Sequence, residues 1–249
     1  MSQSLGKALK LLEILSAQED GLGLSAIARI AQLPKGTTHR LLQSLVEYGY
    51  VSQRDDSKYV LGIKVLLLSY NITDTKPIIR FARPVMEELS AATNETINLA
   101  ALGEKCIVYL DEILTTQPVG TISKLGTTAP LHCTALGKAM LAFSPKNKVL
   151  QLLSDYSFTK YTDNTFITLA SLEKELAVIR KQGYSIDNIE YETEKRCVAA
   201  PILDGFNRVI ASISISGPFF RVTQEKAHQY GVLLRDYSKK VTSLLAFPD

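Results

Sequence analysis

The chain has 249 residues, 46% hydrophobic and 21% charged, with 14 Gly and 9 Pro, a globular composition that excludes disordered, collagen-like and disulfide-scaffold classes. Its three cysteines, Cys106, Cys133 and Cys197, form no C-x-x-C pair and have no short-range partner for a metal site, which fits a reducing, cytoplasmic compartment without metal or cofactor. The net charge is only +3 and no stretch reaches the roughly 18 to 20 apolar residues of a membrane span, so a nucleic-acid partner has to be argued from where the charge sits.

Residues 4 to 16 place Leu5, Ala8, Leu9, Leu12 and Leu15 on one stripe of a helix. Beyond Gly21-Leu22-Gly23, Ser25 is the expected N-cap of a short helix with Ile27, Ile30 and Ala31 inward, ending near Leu33-Pro34. A third helix runs from Lys35 or Gly36 to Tyr48 with Thr38, Leu41, Leu42 and Leu45 on one face and Gly49 closing it. Tyr50 to Ser52 and Lys58 to Leu61 flank a polar tip and read as a small hairpin. The unit is three helices and a wing.

The apolar stretch from Ile63 to Tyr70 reads as a further helix, and the polar run from Asn71 to Pro77 marks the domain boundary. Ala82, Val85, Met86 and Leu89 recur at helical spacing, with Pro84 as kink or start. Strands are expected at Thr96 to Leu102 and Cys106 to Ile113, joined by a tight turn at Gly103-Glu104-Lys105. Helices follow at about Thr134 to Phe143 and Ser171 to Gln182; Glu173 and Glu175 open the second and Arg180 and Lys181 close it, as the helix dipole favours. Strands at Cys197 to Leu203 and Val209 to Ser216 flank a turn at Asp204 to Asn207, and a helix from Thr223 to Leu245 ends the chain. The order implies an α+β sheet domain without internal repeats.

A helix, a short turn and a second helix with a β-wing is the arrangement that lays a helix in the DNA major groove. With Thr38, Leu41, Leu42 and Leu45 inward, the helical step turns Gly36, Arg40, Gln43 and Ser44 outward, with Thr37 beside them. Arg can grip guanine bidentately and Gln can pair with adenine, while Lys35, His39 and the wing's Arg54 suit phosphates. Between Ala26 and Arg54 four basic residues face one acid, Glu47, a local charge of +3. The other reading is a small-molecule-binding or catalytic protein whose N-terminal unit serves only in oligomerisation. Against catalysis, no G-x-S-x-G, G-x-G-x-x-G, phosphate-loop or H-E-x-x-H signature occurs. His132-Cys133 would point to opposite faces of a strand, and the spacing of Glu190, Glu192 and Glu194 describes a solvated strand edge or loop.

The segment Leu33-Pro-Lys-Gly-Thr-Thr-His-Arg-Leu-Leu-Gln-Ser-Leu-Val-Glu-Tyr-Gly-Tyr-Val51, followed by Tyr59-Val-Leu-Gly62, closely resembles the winged helix-turn-helix of the IclR family of bacterial transcriptional regulators. Gly126 to Ala142, Gly183-Tyr-Ser-Ile-Asp187, Arg196-Cys-Val-Ala-Ala-Pro201 and Ala211-Ser-Ile-Ser-Ile-Ser-Gly217 resemble that family's C-terminal motifs, in the same order. The resemblance implies a winged helix-turn-helix at 1–62, a linker helix at 63–77 and a GAF-like α/β domain at 78–249. That domain would bind a small organic acid and assemble homodimers or homotetramers on double-stranded operator DNA. Carried over position by position, the acid pocket comprises Asp187, Cys197, Ser214 and Ser216 with the backbone donors Ala135 and Leu136. Where some members have two small residues before Gly-Lys, this chain has Ala135-Leu136, so Leu136 is expected to reshape the pocket. Independently, Ser214 and Ser216 are two apart on a strand and share a face, and the N–H groups near Thr134 can receive a carboxylate. Glu95 to Leu102, Ile107 to Leu110 and Lys226 to Tyr230 look most like the members that sense 2-keto-3-deoxygluconate.

Overall fold

The computed structural model describes residues 3–18, 20–65, 68 and 76–246. The chain divides into two compact units, 1–73 and 74–249. The expected linker helix at 63–77 lies largely outside the described residues.

In the first unit, α1 (Gln3–Ser16), α2 (Leu24–Ala31) and α3 (Lys35–Glu47) precede the antiparallel hairpin of β1 (Val51–Gln53) and β2 (Tyr59–Leu61). Leu11, Leu15, Ile27, Ala31, Leu42, Val51 and Tyr59 form its core. The expected α1 stripe is displaced. Leu5 and Leu9 are 61% and 51% exposed, and only the C-terminal half of the helix, through Leu11 and Leu15, enters the core. Ser25 lies inside α2 rather than capping it, because Ala26 and Ile27 already donate their N–H groups to the Gly23 carbonyl. Ile30 faces outward and Ala28 is buried in its stead, giving the inward set Ile27, Ala28 and Ala31. Gly49, at φ +76°, closes α3: its N–H reaches Val46 O and the N–H of Tyr50 reaches Leu45 O, a turn that a left-handed glycine makes without strain.

The second unit is built on a six-stranded antiparallel sheet in the order β5-β4-β3-β8-β7-β6. Its elements are α4 (Lys76–Thr93), β3 (Thr96–Leu102), β4 (Cys106–Ile113), β5 (Thr128–Pro130), α5 (Ala135–Phe143), α6 (Lys146–Leu153), α7 (Leu169–Gln182), β6 (Ser185–Asn188), β7 (Lys195–Leu203), β8 (Val209–Pro218) and α8 (Gln224–Ala246). Pro84 falls inside α4, so it does not mark the helix start. Strand alternation assigns the two faces. Ile97, Leu99, Val198, Ala200, Ile213 and Ile215 pack with Met86 and Leu89 of α4 and Leu234 and Val241 of α8. Ala100, Cys197 and Ala199 point the other way, towards Leu136 and Met140 of α5 and Leu172 and Leu176 of α7.

A sheet covered on both faces normally reads as continuous apolar strands. Here the α5 side of β8 instead carries Ser212, Ser214 and Ser216, all buried. Glu173 and Glu175 do not open α7, which begins at Leu169 with Thr168 as its N-cap, its Oγ1 accepting from Ser171 N.

Candidate functional site

On the first unit, Gln32 at φ 57° ends α2, and Leu33 and Pro34 lead directly into α3, a turn of helix-turn-helix length. Burying Thr38 and Leu42 leaves Lys35, Gly36, His39, Arg40, Gln43 and Ser44 exposed, with Thr37 half-buried at their edge. A Cβ added at Gly36 would meet nothing within 4 Å, so backbone is bare there. Gln43 Nε2 lies 3.5 Å from His39 Nε2, and Ser44 Oγ donates to Arg40 O at 3.3 Å. Arg54 stands exposed on the wing, its N–H closing the tip on Lys58 O and its guanidinium reaching Asp20 O at 3.4 Å. The first turn of α3 holds Lys35 and no acid, so the positive helix end is uncompensated.

On the second unit, strand register assembles a polar site. Asp187 of β6 pairs with Cys197 of β7, Cys197 with Ser216 of β8, and Ser216 with Thr96 of β3. One step along, Ser214 lies opposite Asn98. Asn98 Nδ2 donates to Ser216 Oγ at 3.2 Å, while its Oδ1 is buried without a partner among the described residues. Above these strands sits the N-terminus of α5. Thr134 caps it, donating through Oγ1 to Pro130 O and accepting there from Gly137 N. The first-turn N–H groups of Ala135 and Leu136 have no carbonyl one turn back to receive them.

Ala135, Leu136, Asp187, Cys197, Ser214 and Ser216 therefore line one cavity, together with Tyr109, Thr134, Tyr191 and Lys195. It holds about 10 Å³, near a single water and far below the several hundred Å³ of most ligand sites.

Burial drives the chemistry of this wall. Asp187 is pushed up to about 6 by loss of water, opposed by the Glu190 N–H that donates to its Oδ1 at 2.7 Å and by Lys138 and Lys195. The same burial holds the Cys197 thiol up at about 12, so it is a neutral lining group and not a nucleophile. Burial opposes the charge of Lys195, yet its ammonium is held above the usual lysine range, because Cys197, Glu192 and Tyr109 around it are ionised by the pH at which it would give up its proton.

Behind the cavity, Lys138 is fully buried and donates to Glu190 Oε1, to Ile186 O at 2.7 Å and to Glu175 Oε1 at 3.3 Å. Glu190 is thus a buried ion-pair partner, contrary to its reading as part of a solvated edge; Glu192 and Glu194 are exposed. His132 and Cys133 lie in the turn before α5, not on a strand. Both are buried, with His132 held between Tyr156 Oη and Thr159 O, each at 3.0 Å. Among the described residues no helix is long and apolar enough to cross a membrane, and no group of three His, Cys, Asp or Glu could hold a metal ion.

The model of the IclR helix-turn-helix domain matches residues 4–55, and that of the bacterial transcriptional regulator IclR C-terminal domain matches residues 70–243. The chain belongs to the IclR family. It is a DNA-binding transcriptional regulator. Across the whole length it is 35% identical to the HTH-type transcriptional regulator KdgR of Dickeya chrysanthemi, covering 99% of this chain and 82% of that one. The transcriptional repressor IclR of Escherichia coli is 31% identical over 96% of this chain and 89% of its own. Among solved IclR structures, that of Thermotoga maritima superposes with a TM-score of 0.78 at 28% identity, covering 99% of this chain and 100% of that one.

Sequence reasoning missed three cavity residues, Tyr109, Tyr191 and Lys195, and named Thr134 only as the start of its helix. Lys195 was within reach, because it lies two positions from Cys197 on one strand and so shares its face. Tyr109 and Tyr191 are brought in by strand order and tertiary packing, which no local pattern encodes.

Proposed function

We propose that this regulator represses a sugar-acid catabolic operon and is released from its operator by a small hydroxylated or keto acid bound in the second unit. Residues 1–62 read the DNA, residues 63–77 carry the coupling and residues 78–249 hold the acid. Arg40 and Gln43 contact base edges, with Gly36, Thr37 and Ser44 beside them, while Lys35, His39 and Arg54 hold phosphates.

The observation that carries the acid site is the gathering of Asp187, Cys197, Ser214, Ser216, Ala135 and Leu136 around one buried polar cavity between the sheet and the start of α5. The serine hydroxyls and the α5 N–H groups suit a carboxylate, and Asp187 accepts from hydroxyls elsewhere on the ligand. Resemblance to a regulator named KdgR supports 2-keto-3-deoxygluconate as the first acid to try. Because the cavity is small, a six-carbon acid binds only by moving Leu136 and the start of α5, and that displacement is the signal. A ligand shifts an equilibrium only by its differential affinity for two states.

Calorimetry with a panel of sugar and keto acids tests the site. The wild type binds at least one of them, and Asp187→Ala weakens that binding by about tenfold or more, the cost of losing a charged hydrogen-bonding partner, with operator affinity unchanged. Equal binding by Asp187→Ala would remove this pocket.

A further inference from the structure

The cavity wall carries two charged side chains, Asp187 and Lys195. Lys195 opens β7, and Cys197, two residues on, pairs with Asp187 across the β6–β7 ladder. Lys195 and Asp187 are therefore diagonal neighbours on one face, about 7 to 8 Å apart between Cα atoms. Ser216, opposite Cys197, lies beside them.

The Lys195 side chain is only 10% exposed, and among the described residues its Nζ donates to one acceptor, Glu192 Oε1, at 3.3 Å. An ammonium has three donors, so a nearly buried cation in this wall keeps donors unspent. Glu192 is itself half exposed and shares its charge with water.

We infer that Lys195 is the specificity-determining cation of the pocket: it joins the serine hydroxyls and the α5 N–H groups in binding the effector's carboxylate, while Asp187 binds a hydroxyl at the other end. This rests on the acid-pocket reading above and adds a ligand class to it. The effector is an aliphatic monocarboxylate carrying a hydroxyl several bonds from its carboxyl group. A dicarboxylate is disfavoured, because its second charge would meet Asp187. A carboxylate without a distal hydroxyl leaves Asp187 unpartnered, and a neutral sugar leaves Lys195 so. Glu192 competes with the ligand for the same ammonium, so it tunes affinity from outside the cavity.

The test pairs charged probes with neutral copies: three- to six-carbon keto and hydroxy acids, including 2-keto-3-deoxygluconate, and their methyl esters, titrated by calorimetry into full-length protein. The wild type is expected to bind an acid far more tightly than its ester. Lys195→Met should lose about ten- to hundredfold in affinity for the acid and little for the ester, so that the two converge, and Lys195→Arg should restore part of the preference. Glu192→Gln should tighten the acid, a change of sign that a merely structural lysine would not produce. Undiminished acid-over-ester preference in Lys195→Met, with Asp187→Ala still impaired, overturns the role of Lys195 and leaves the pocket standing. If no acid binds the wild type, pocket and inference fall together. Should Lys195→Met misfold, a Glu192→Gln variant that binds the acid more weakly than wild type overturns the inference by itself.

Discussion

Arg40 is exposed on α3 one turn beyond Gly36, where bare backbone lets the helix approach its target closely. If it reads a base, Arg40→Ala weakens specific operator binding by about 1 to 3 kcal/mol, whereas Lys35→Ala and Arg54→Ala lower affinity for all sequences and flatten the salt dependence. Anisotropy titrations at several salt concentrations separate the two; equal salt slopes for wild type and Lys35→Ala would remove it from the phosphate contacts. The exposed face of α3 could be read from period 3.6 alone, since Thr38 and Leu42 fix its inward side.

Asp187 illustrates the cost of a buried charge. Its folded value of about 6 exceeds the ordinary 3.8, so between those values the native state holds a proton the unfolded chain has lost. Stability contributed at this position therefore falls as pH rises through that window, and the cost is complete above about pH 6. The groups facing it are Lys138 from α5, Lys195 and Cys197 from β7, and Glu190 and Tyr191 from the following loop. Asp187→Asn keeps an acceptor for the Glu190 N–H without the buried charge. It should raise the melting temperature at pH 7.5 and converge with wild type at pH 4; a pH-independent difference would contradict the burial argument.

At the scale of elements, α5 is held from both sides. A Cβ at Gly137 would lie 2.5 Å from Leu131 O, so only glycine lets the helix approach the preceding turn. From below, Lys138 anchors it to Glu190, Glu175 and the Ile186 carbonyl. Removing one member of a buried pair costs about 3 to 5 kcal/mol because the other charge is stranded. Lys138→Met should lose that much in urea unfolding, and Lys138→Met with Glu190→Gln should recover part of it; no recovery would argue against the pair.

Most elements were legible because their periodicities were long, as in α4 and α8. The failures were local. Leucine-rich α1 offers two stripes and burial chooses Leu11 and Leu15; β5 has only three residues and α6 eight, and Glu190 looked solvated because its partner Lys138 is 52 residues away. Tertiary pairing supplies what short-range pattern cannot.

For the molecule as a whole, a single recognition helix reads only a few base pairs, and two-fold assembly doubles the readout. Light scattering should give a dimer or tetramer at micromolar concentration, with operator protection in two half-sites related by inversion. A monomer on a single half-site would contradict this.

The central claim is that an acid in the second unit governs DNA binding by the first. A fluorescent fragment of the promoter beside the protein's own gene, titrated by anisotropy with and without the best-binding acid, measures that coupling directly. The account predicts that the acid weakens operator binding by about 5- to 150-fold in wild type and leaves Asp187→Ala unchanged. Superimposable wild-type curves with the acid at saturation would contradict it.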